Sequence, residues 1–114
     1  MKSAGRSFED DLIGQLKNPE FAAHYLSEIL NDSSEGQKER ILIALKRMAK
    51  AYGVRALTQE IGRSPKALYI SLSKKGNPTL ETFLSILNAL GIQLKAAAAV
   101  PMGHVAKKKR VANI

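Results

Sequence analysis

The sequence predicts an all-α domain built from five helices. Apolar residues recur at three- and four-residue spacing over most of the chain, which is the period of a helix with one buried face. Residues with N-capping side chains precede four of these stretches, and a glycine follows most of them. With 114 residues, the chain is long enough for one domain with a small hydrophobic core.

The first helix is predicted at residues 19–31. Asn18 is a good N-cap, and Pro19 stands at the first helical position, where its missing N–H costs nothing. The preceding segment, residues 7–17, fits either an additional helical turn or an extended backbone. The apolar residues of the first helix are Phe21, Ala22, Tyr25, Leu26, Ile29 and Leu30.

A second helix is predicted at residues 35–51, ending before Gly53. Ser34 and Gln37 fit a capping box, in which each side chain satisfies a free backbone N–H of the first turn. The cations near its C-terminus, which the helix dipole favours there, are Lys46, Arg47 and Lys50. Its apolar stripe consists of Ile41, Leu42, Leu45, Met48 and Ala49.

Two short helices follow, predicted at residues 54–61 and 65–74. Gly62 ends the first of them, and Ser64 caps the second, which begins with Pro65. Their inner faces are predicted to contain Val54, Leu57, Ile61, Leu68 and Leu72, with part of Tyr69.

The fifth helix is predicted from residue 80 to the residue before Gly91. Thr79 is its expected N-cap, and Glu81 lies in the first turn, where an acidic side chain is favoured. Residues 92–95 alternate in polarity and fit either a short C-terminal strand or an extended tail. The apolar stripe of the helix consists of Leu80, Phe83, Leu84, Ile86, Leu87 and Leu90.

Residues 57–79 have the layout of a helix-turn-helix, which places its second helix in the major groove of DNA. Gly62 supplies the residue of positive φ that the tight turn needs. No acidic residue lies between Gly62 and Leu80, which suits a surface that faces phosphate groups. An ordinary helical hairpin without a DNA ligand has the same pattern. The candidate DNA-binding residues are Arg63, Ser64, Lys66, Ala67, Ile70, Ser73, Lys74 and Lys75.

Individual roles can be assigned to some of these residues as hypotheses. The N-terminal half of a recognition helix normally reaches base edges, so Lys66 is expected to donate to guanine, and Ala67 or Ile70 to touch a thymine methyl group. Ser64 is expected to bind phosphate through its hydroxyl or the helix N-terminus. A buried arginine is costly, and Arg63 is therefore expected to point outward, toward phosphate.

The net charge of +8 is distributed unevenly. Residues 1–39 hold four basic and eight acidic residues, a net charge of −4, whereas residues 40–114 hold fourteen basic and two acidic residues, a net charge of +12. Phosphate backbone is the natural partner of the basic part, and the acidic part suggests a second partner of opposite sign.

Other classes of function have little support. The chain has no cysteine for disulfides or thiolate metal sites, and no apolar run approaches the roughly 20 residues that span a bilayer. His24 is expected at the surface, and His104 lies in the tail. The acidic run Glu9-Asp10-Asp11 is interpreted as a group of solvated charges and not as a paired-acid site. We therefore expect no enzyme activity, no metal and no cofactor.

Several residues give the chain a family resemblance. The segment from residue 56 to residue 94 resembles the phage-repressor-like (Xre/Cro type) helix-turn-helix. Over residues 8–95 the chain more closely resembles the addiction-module antidote family, the HigA-like antitoxins of type II toxin–antitoxin systems. The motif consists of Leu57, Gly62, Ser64, Leu68-Tyr69, Gly76-Asn77-Pro78 and Leu90-Gly91, with a leader from Asn18 to Leu26. Thr58, where alanine is usual, and Arg63, where an aliphatic residue is common, depart from it.

The resemblance implies a bacterial DNA-binding protein that represses its own promoter as a homodimer and neutralises a RelE-like ribonuclease toxin. The alternatives are a stand-alone prophage-type repressor with no toxin partner and, less well supported, a helical adaptor that does not bind DNA. The last helix, residues 92–96 and the first helix are the candidate dimer interfaces. A cytoplasmic protein bound to the nucleoid is expected, with no membrane association.

Three regions are predicted along the chain. Residues 1–17 form a leader, and residues 18–96 form the helical DNA-binding domain, with the helix-turn-helix at 54–74. Residues 97–114 lack apolar periodicity and are predicted to form a flexible basic tail, whose Lys107–Arg110 run is either an arm along DNA or inert.

Overall fold

A computed structural model describes residues 7–99, and this range contains six α-helices. The helices are α1 (Phe8–Gln15), α2 (Pro19–Leu30), α3 (Gln37–Tyr52), α4 (Val54–Ile61), α5 (Pro65–Ser71) and α6 (Leu80–Ala89). The predicted all-α class is confirmed. Helix α1 occupies the segment for which the sequence left a helical turn or an extended backbone open, and residues 92–95 form no strand. The predictions for His104 and the Lys107–Arg110 run lie outside the described residues.

The longest helix, α3, joins two halves of the domain. Helices α1 and α2 each pack against it, and α4 packs against it and also against α5 and α6. Burying a large apolar side chain contributes roughly 1.5–3 kcal/mol, so the shared core is the main source of stability. The largest fully buried side chains belong to Leu26, Leu45, Met48, Leu57, Leu68, Leu72, Ile86 and Leu87.

Three of the predicted helix N-caps are confirmed. The side-chain oxygen of Asn18 accepts a hydrogen bond from the Glu20 N–H at 2.8 Å, which caps α2. The hydroxyls of Ser64 and Thr79 each accept from the backbone N–H three residues ahead, at 3.1 Å. Each such cap typically stabilises its helix by about 1 kcal/mol.

The predicted capping box at the start of α3 is wrong. The N-cap is Gly36, at a φ of 88°, and no side chain caps the helix. The Gln37 amide instead donates to the carbonyl oxygens of Ile29 at 3.3 Å and Leu30 at 3.0 Å. The last carbonyl groups of a helix have no hydrogen-bond partner within that helix. The Gln37 amide therefore bonds to the C-terminal carbonyls of α2 and does not cap α3.

Only part of the predicted apolar stripe of α6 is buried. Ile86 and Leu87 are buried, but Leu80 is 70% exposed and Leu84 is 39% exposed. The buried face instead includes the hydroxyl side chain of Thr82. Because α6 packs chiefly on α4, its inner face is set by that contact and not by the full width of the apolar pattern. No helix of residues 7–99 is both long and apolar enough to cross a membrane.

Candidate nucleic-acid interface

Helices α4 and α5 form a short helix-turn-helix. Helix α4 ends at Gly62, which adopts the left-handed conformation at a φ of 74° that the sequence predicted for the turn. The Arg63 N–H then donates to the Thr58 carbonyl at 2.9 Å and closes the end of α4. After Ser64 the chain enters α5, whose first residue is Pro65.

Helix α5 has one buried edge and one exposed edge, as predicted. Leu68 and Leu72 are each 1% exposed, whereas Ile70 is 60% exposed and Tyr69 is 43% exposed. The helix ends at Ser71 and is therefore shorter than the predicted range.

The sharp turn after α5 has a steric cause at Gly76. A Cβ atom at this position would overlap the backbone carbonyl oxygens of Ile70 and Ser71. The chain can pass this close to the end of α5 only without a side chain. Ser73, Lys74 and Lys75, which the sequence placed at or just beyond the end of the helix, lie in this turn.

The eight candidate residues lie on α5 or in the segments that flank it, and each is at least partly exposed. Lys66 and Ile70 are one helical turn apart and share the face opposite Leu68. No acidic residue occurs from position 62 to position 79. Within residues 7–99, three of the cations in this region have side chains that form no hydrogen bond or ion pair: Lys66, Lys74 and Lys75.

Arg63 differs from these lysines, because its guanidinium is attached to α6. Its Nη2 donates to the Thr82 hydroxyl oxygen at 2.6 Å, and Thr82 is only 2% exposed. Thr79 donates to the same oxygen at 3.1 Å. Arg63 is exposed, as expected, but its guanidinium is also held by this hydrogen bond, since a buried hydroxyl requires hydrogen-bond partners and Arg63 supplies one.

Thr82 is a residue that the sequence-based prediction missed. It is one of two buried polar residues in the described range, together with Thr58. Thr82 lies one helical turn before the apolar Ile86 in α6, which was a signal of burial, but its partner Arg63 is distant in sequence. The Arg63–Thr82 contact joins the α4–α5 turn to the first turn of α6.

Two other candidate hydroxyls already form local hydrogen bonds. The Ser64 oxygen accepts from the Ala67 N–H, which leaves its proton free to donate to a ligand. The Ser73 hydroxyl donates to the Ile70 carbonyl at 2.9 Å. Ser64 therefore retains a donor for phosphate, whereas the Ser73 proton is engaged within the fold.

One acidic residue near the N-terminus, Glu9, forms an ion pair within the fold. Arg47 of α3 donates from Nε and Nη2 to the Glu9 carboxylate, the shortest of these bonds being 2.8 Å, and from Nη1 to the Tyr25 hydroxyl at 3.0 Å. The hydrogen bonds from Arg47 lower the pKa of the Glu9 carboxyl. The interpretation of Glu9 as solvated charge is therefore incomplete, because the carboxylate is partly exposed but also joins α1 to α3.

Arg40 holds the loop between α2 and α3. It donates to the carbonyl oxygens of Asp32 and Glu35, each at 2.9 Å. Hydrogen bonds from Ser34 lower the pKa of the Asp32 carboxyl. This loop is thus ordered by one arginine on α3.

The histidine and acidic residues of the described range form no candidate metal centre. His24 is 76% exposed, as predicted for a surface residue, and lies 3.3 Å from Glu28. Within residues 7–99, no three histidine, cysteine or acidic residues are grouped so as to hold a metal ion.

Comparison with known proteins gives one family and one relative. A family model described as "probable addiction module antidote protein" matches residues 7–98, which is more than half of the chain. An uncharacterized protein of Haemophilus influenzae strain Rd is 35% identical over 85 residues, covering 75% of this chain and 84% of the relative. No solved structure matches.

Proposed function

The chain belongs to the family of probable addiction module antidote proteins, and from that premise we propose that it is the antitoxin of a type II toxin–antitoxin module. It neutralises a RelE-like ribonuclease toxin by direct contact. It also represses its own promoter by binding operator DNA through α5. The observation that carries the DNA-binding part is the exposed face of α5, which is free of acids and flanked by unpaired lysines.

The proposed DNA contacts divide into base contacts and phosphate contacts. Lys66 lies in the first turn of α5 and donates to guanine, while Ala67 or Ile70 contacts a thymine methyl group. Lys74 and Lys75 follow the helix and neutralise phosphates. Arg63 orients the start of α5 through Thr82.

The toxin-binding part of the proposal places the toxin on the α1–α2 side. Exposed acids on these helices include Asp10, Glu20 and Glu28, and the net charge of residues 1–39 is −4. Ribonuclease toxins that bind RNA are basic, so opposite charges favour this side of the molecule. DNA and toxin then occupy different halves of the domain.

The DNA-binding part is tested by fluorescence anisotropy with a labelled fragment of the chain's own promoter and an unrelated duplex of equal length. Tighter binding to the promoter, which weakens steeply as salt rises, is expected because phosphate contacts release counterions. Equal affinity for both duplexes would exclude an operator-specific repressor.

The toxin part is tested by co-expression with the protein encoded by the neighbouring gene. Rescue of growth and co-purification are expected, and the double substitution Glu20→Lys with Glu28→Lys should weaken both without changing promoter affinity. Promoter binding without rescue or co-purification would instead support a stand-alone prophage-type repressor.

A homodimer completes the proposal. Helix α5 has seven residues, and one helix of this length reaches only a few base pairs. A two-fold dimer reads two half-sites and so gains affinity and specificity.

A further inference from the structure

An open apolar groove lies between the α2–α3 side of the domain and the start of α6. Its volume is about 460 Å³. Its walls are mainly apolar side chains, and among residues 7–99 its only charged lining residue is Lys38. The lining side chains from the second half of the domain belong to the loop that leaves α5 and to the first turn of α6: Asn77, Pro78, Thr79, Leu80 and Phe83.

The same surface contains both a projecting side chain and a hollow. Leu80 is 70% exposed at one edge of the groove, and Leu84, one turn further along α6, is 39% exposed. Ile41 and Phe83 are half-buried in the wall. A two-fold interface pairs one patch with itself, so each copy must supply both the knob and the hollow. This patch meets that requirement.

The charges at the edges of the groove are also self-complementary. Lys38 of α3 lines the groove, and Glu81, the residue after Leu80 in α6, is exposed. Within residues 7–99, neither side chain forms an ion pair or a hydrogen bond. In a two-fold arrangement, Lys38 of each copy can face Glu81 of the other.

We propose that a second copy of this chain docks in this groove, with Leu80 of each copy inserted against Ile41 and Phe83 of the other and two Lys38–Glu81 pairs at the edges. The proposal rests on the proposed operator-binding function, for which it names the dimer surface. Because the groove adjoins the loop that follows α5, this interface fixes the distance between the two copies of α5. A fixed distance restricts the spacing of the two half-sites.

The test measures self-association of the full chain without DNA, by sedimentation velocity over a concentration series. Wild-type protein should form a dimer, and Leu80→Asp should weaken its dissociation constant at least tenfold. Lys38→Glu and Glu81→Lys should each weaken it several-fold, because each places like charges opposite one another. The double variant reverses both charges and should restore the constant to within about twofold of wild type.

Two control variants distinguish this interface from the other candidate dimer surfaces. Phe8→Asp on α1 and Leu94→Asp beyond α6 alter exposed apolar residues that do not line the groove, and both should leave dimerisation unchanged. A monomeric wild type, a double charge variant no better than either single one, or dissociation by Leu94→Asp and not by Leu80→Asp would overturn the proposal. Thermal unfolding of each variant identifies any loss of folding.

Failure of this interface can be distinguished from failure of the DNA-binding proposal. Monomeric Leu80→Asp should keep wild-type affinity for a single half-site duplex, because Leu80 lies outside the set of proposed DNA contacts. Its affinity for the complete two-fold operator should fall at least tenfold. If wild type binds neither duplex specifically, the DNA-binding proposal fails, and the sedimentation result still decides whether the groove is a dimer surface.

Discussion

Two arginines of α3 and three lysines around α5 behave differently. Toward α1 and α2, Arg40 and Arg47 donate several hydrogen bonds to groups of the protein itself. Around α5, the side chains of Lys66, Lys74 and Lys75 form none within the described range. The first set holds helices together, and the second is available to a ligand.

The chemistry of the two side chains explains this division. Arginine presents a planar fork of donors that can satisfy several fixed acceptors at once, whereas lysine is a compact, well-hydrated point charge. Arg63 follows the same rule, because it is attached to Thr82 although it lies beside the proposed DNA-binding face. The count of positive charges in a basic domain therefore overstates the number that can reach phosphate.

The largest effect is expected from the apolar contact that fixes α5. Leu68→Ala should reduce the free energy of unfolding by about 2–5 kcal/mol, since Leu68 is 1% exposed and its truncation leaves a cavity. Urea denaturation followed by circular dichroism measures this change. Ile70→Ala is the matched control on the exposed face and should change stability by less than about 0.5 kcal/mol. Equal losses would mean that α5 is not anchored by its inner edge.

Two variants should distinguish the cations that bind DNA from those that stabilise the fold. Lys66→Ala should reduce promoter affinity by roughly 1–3 kcal/mol and leave stability unchanged, because its side chain makes no internal bond. Arg47→Met should do the opposite, lowering stability without changing the affinity of the folded protein. Anisotropy and thermal unfolding measure both quantities. If Lys66→Ala weakens binding equally on all duplexes, Lys66 contacts phosphate and not a base.

A smaller effect is expected at the Arg63–Thr82 contact. Thr82→Val preserves shape but removes the acceptor of two hydrogen bonds, and should lower stability by about 1–2 kcal/mol. Thr82→Ser keeps the hydroxyl and should restore most of the loss. If the valine variant is as stable as wild type, Arg63 is not held by α6.

The smallest effect is expected at the Glu9–Arg47 pair, which is partly exposed to solvent. Glu9→Gln should cost roughly 0.5–1 kcal/mol at pH 7. The pKa of Glu9 is lowered in the folded state, so its contribution is complete above the unfolded pKa of about 4.3 and is lost as pH falls through the folded pKa.

Thermal melts of wild type and Glu9→Gln between pH 7 and pH 2.5 measure that dependence. The difference between the two proteins should shrink below about pH 4. Asp10→Asn is the control on the same helix, and its effect should stay small throughout. A difference that is constant with pH would show that the carboxylate charge of Glu9 does not stabilise the fold.

The sequence predicted best those features that depend on neighbouring residues. Asn18, Ser64 and Thr79 cap their helices because each cap requires only a backbone N–H two or three residues ahead. The bounds of α4 agree with the prediction for the same reason, since Gly53 and Gly62 mark its ends locally.

Features that depend on distant residues were missed. Glu9 and Arg47 are 38 residues apart, and nothing near either residue identifies the other. Gln37 had a plausible local partner, but the carbonyl oxygens at the end of α2 were within reach once the helices packed. The predicted DNA contacts of α5 remain predictions, because no structural feature of the protein alone identifies which side chain meets a base.

The crowded position of Gly76 has a consequence for searches by sequence. The Gly76-Asn77-Pro78 turn belongs to the motif that carries the family resemblance, yet Gly76 is required because no Cβ fits against the carbonyls of α5. A profile that weights this turn will therefore retrieve proteins with the same shape, whatever DNA they recognise. Under the proposed function, proteins that recognise different operators are distinguished by their residues at positions 66 and 70. These positions are exposed, so packing does not restrict the side chain there.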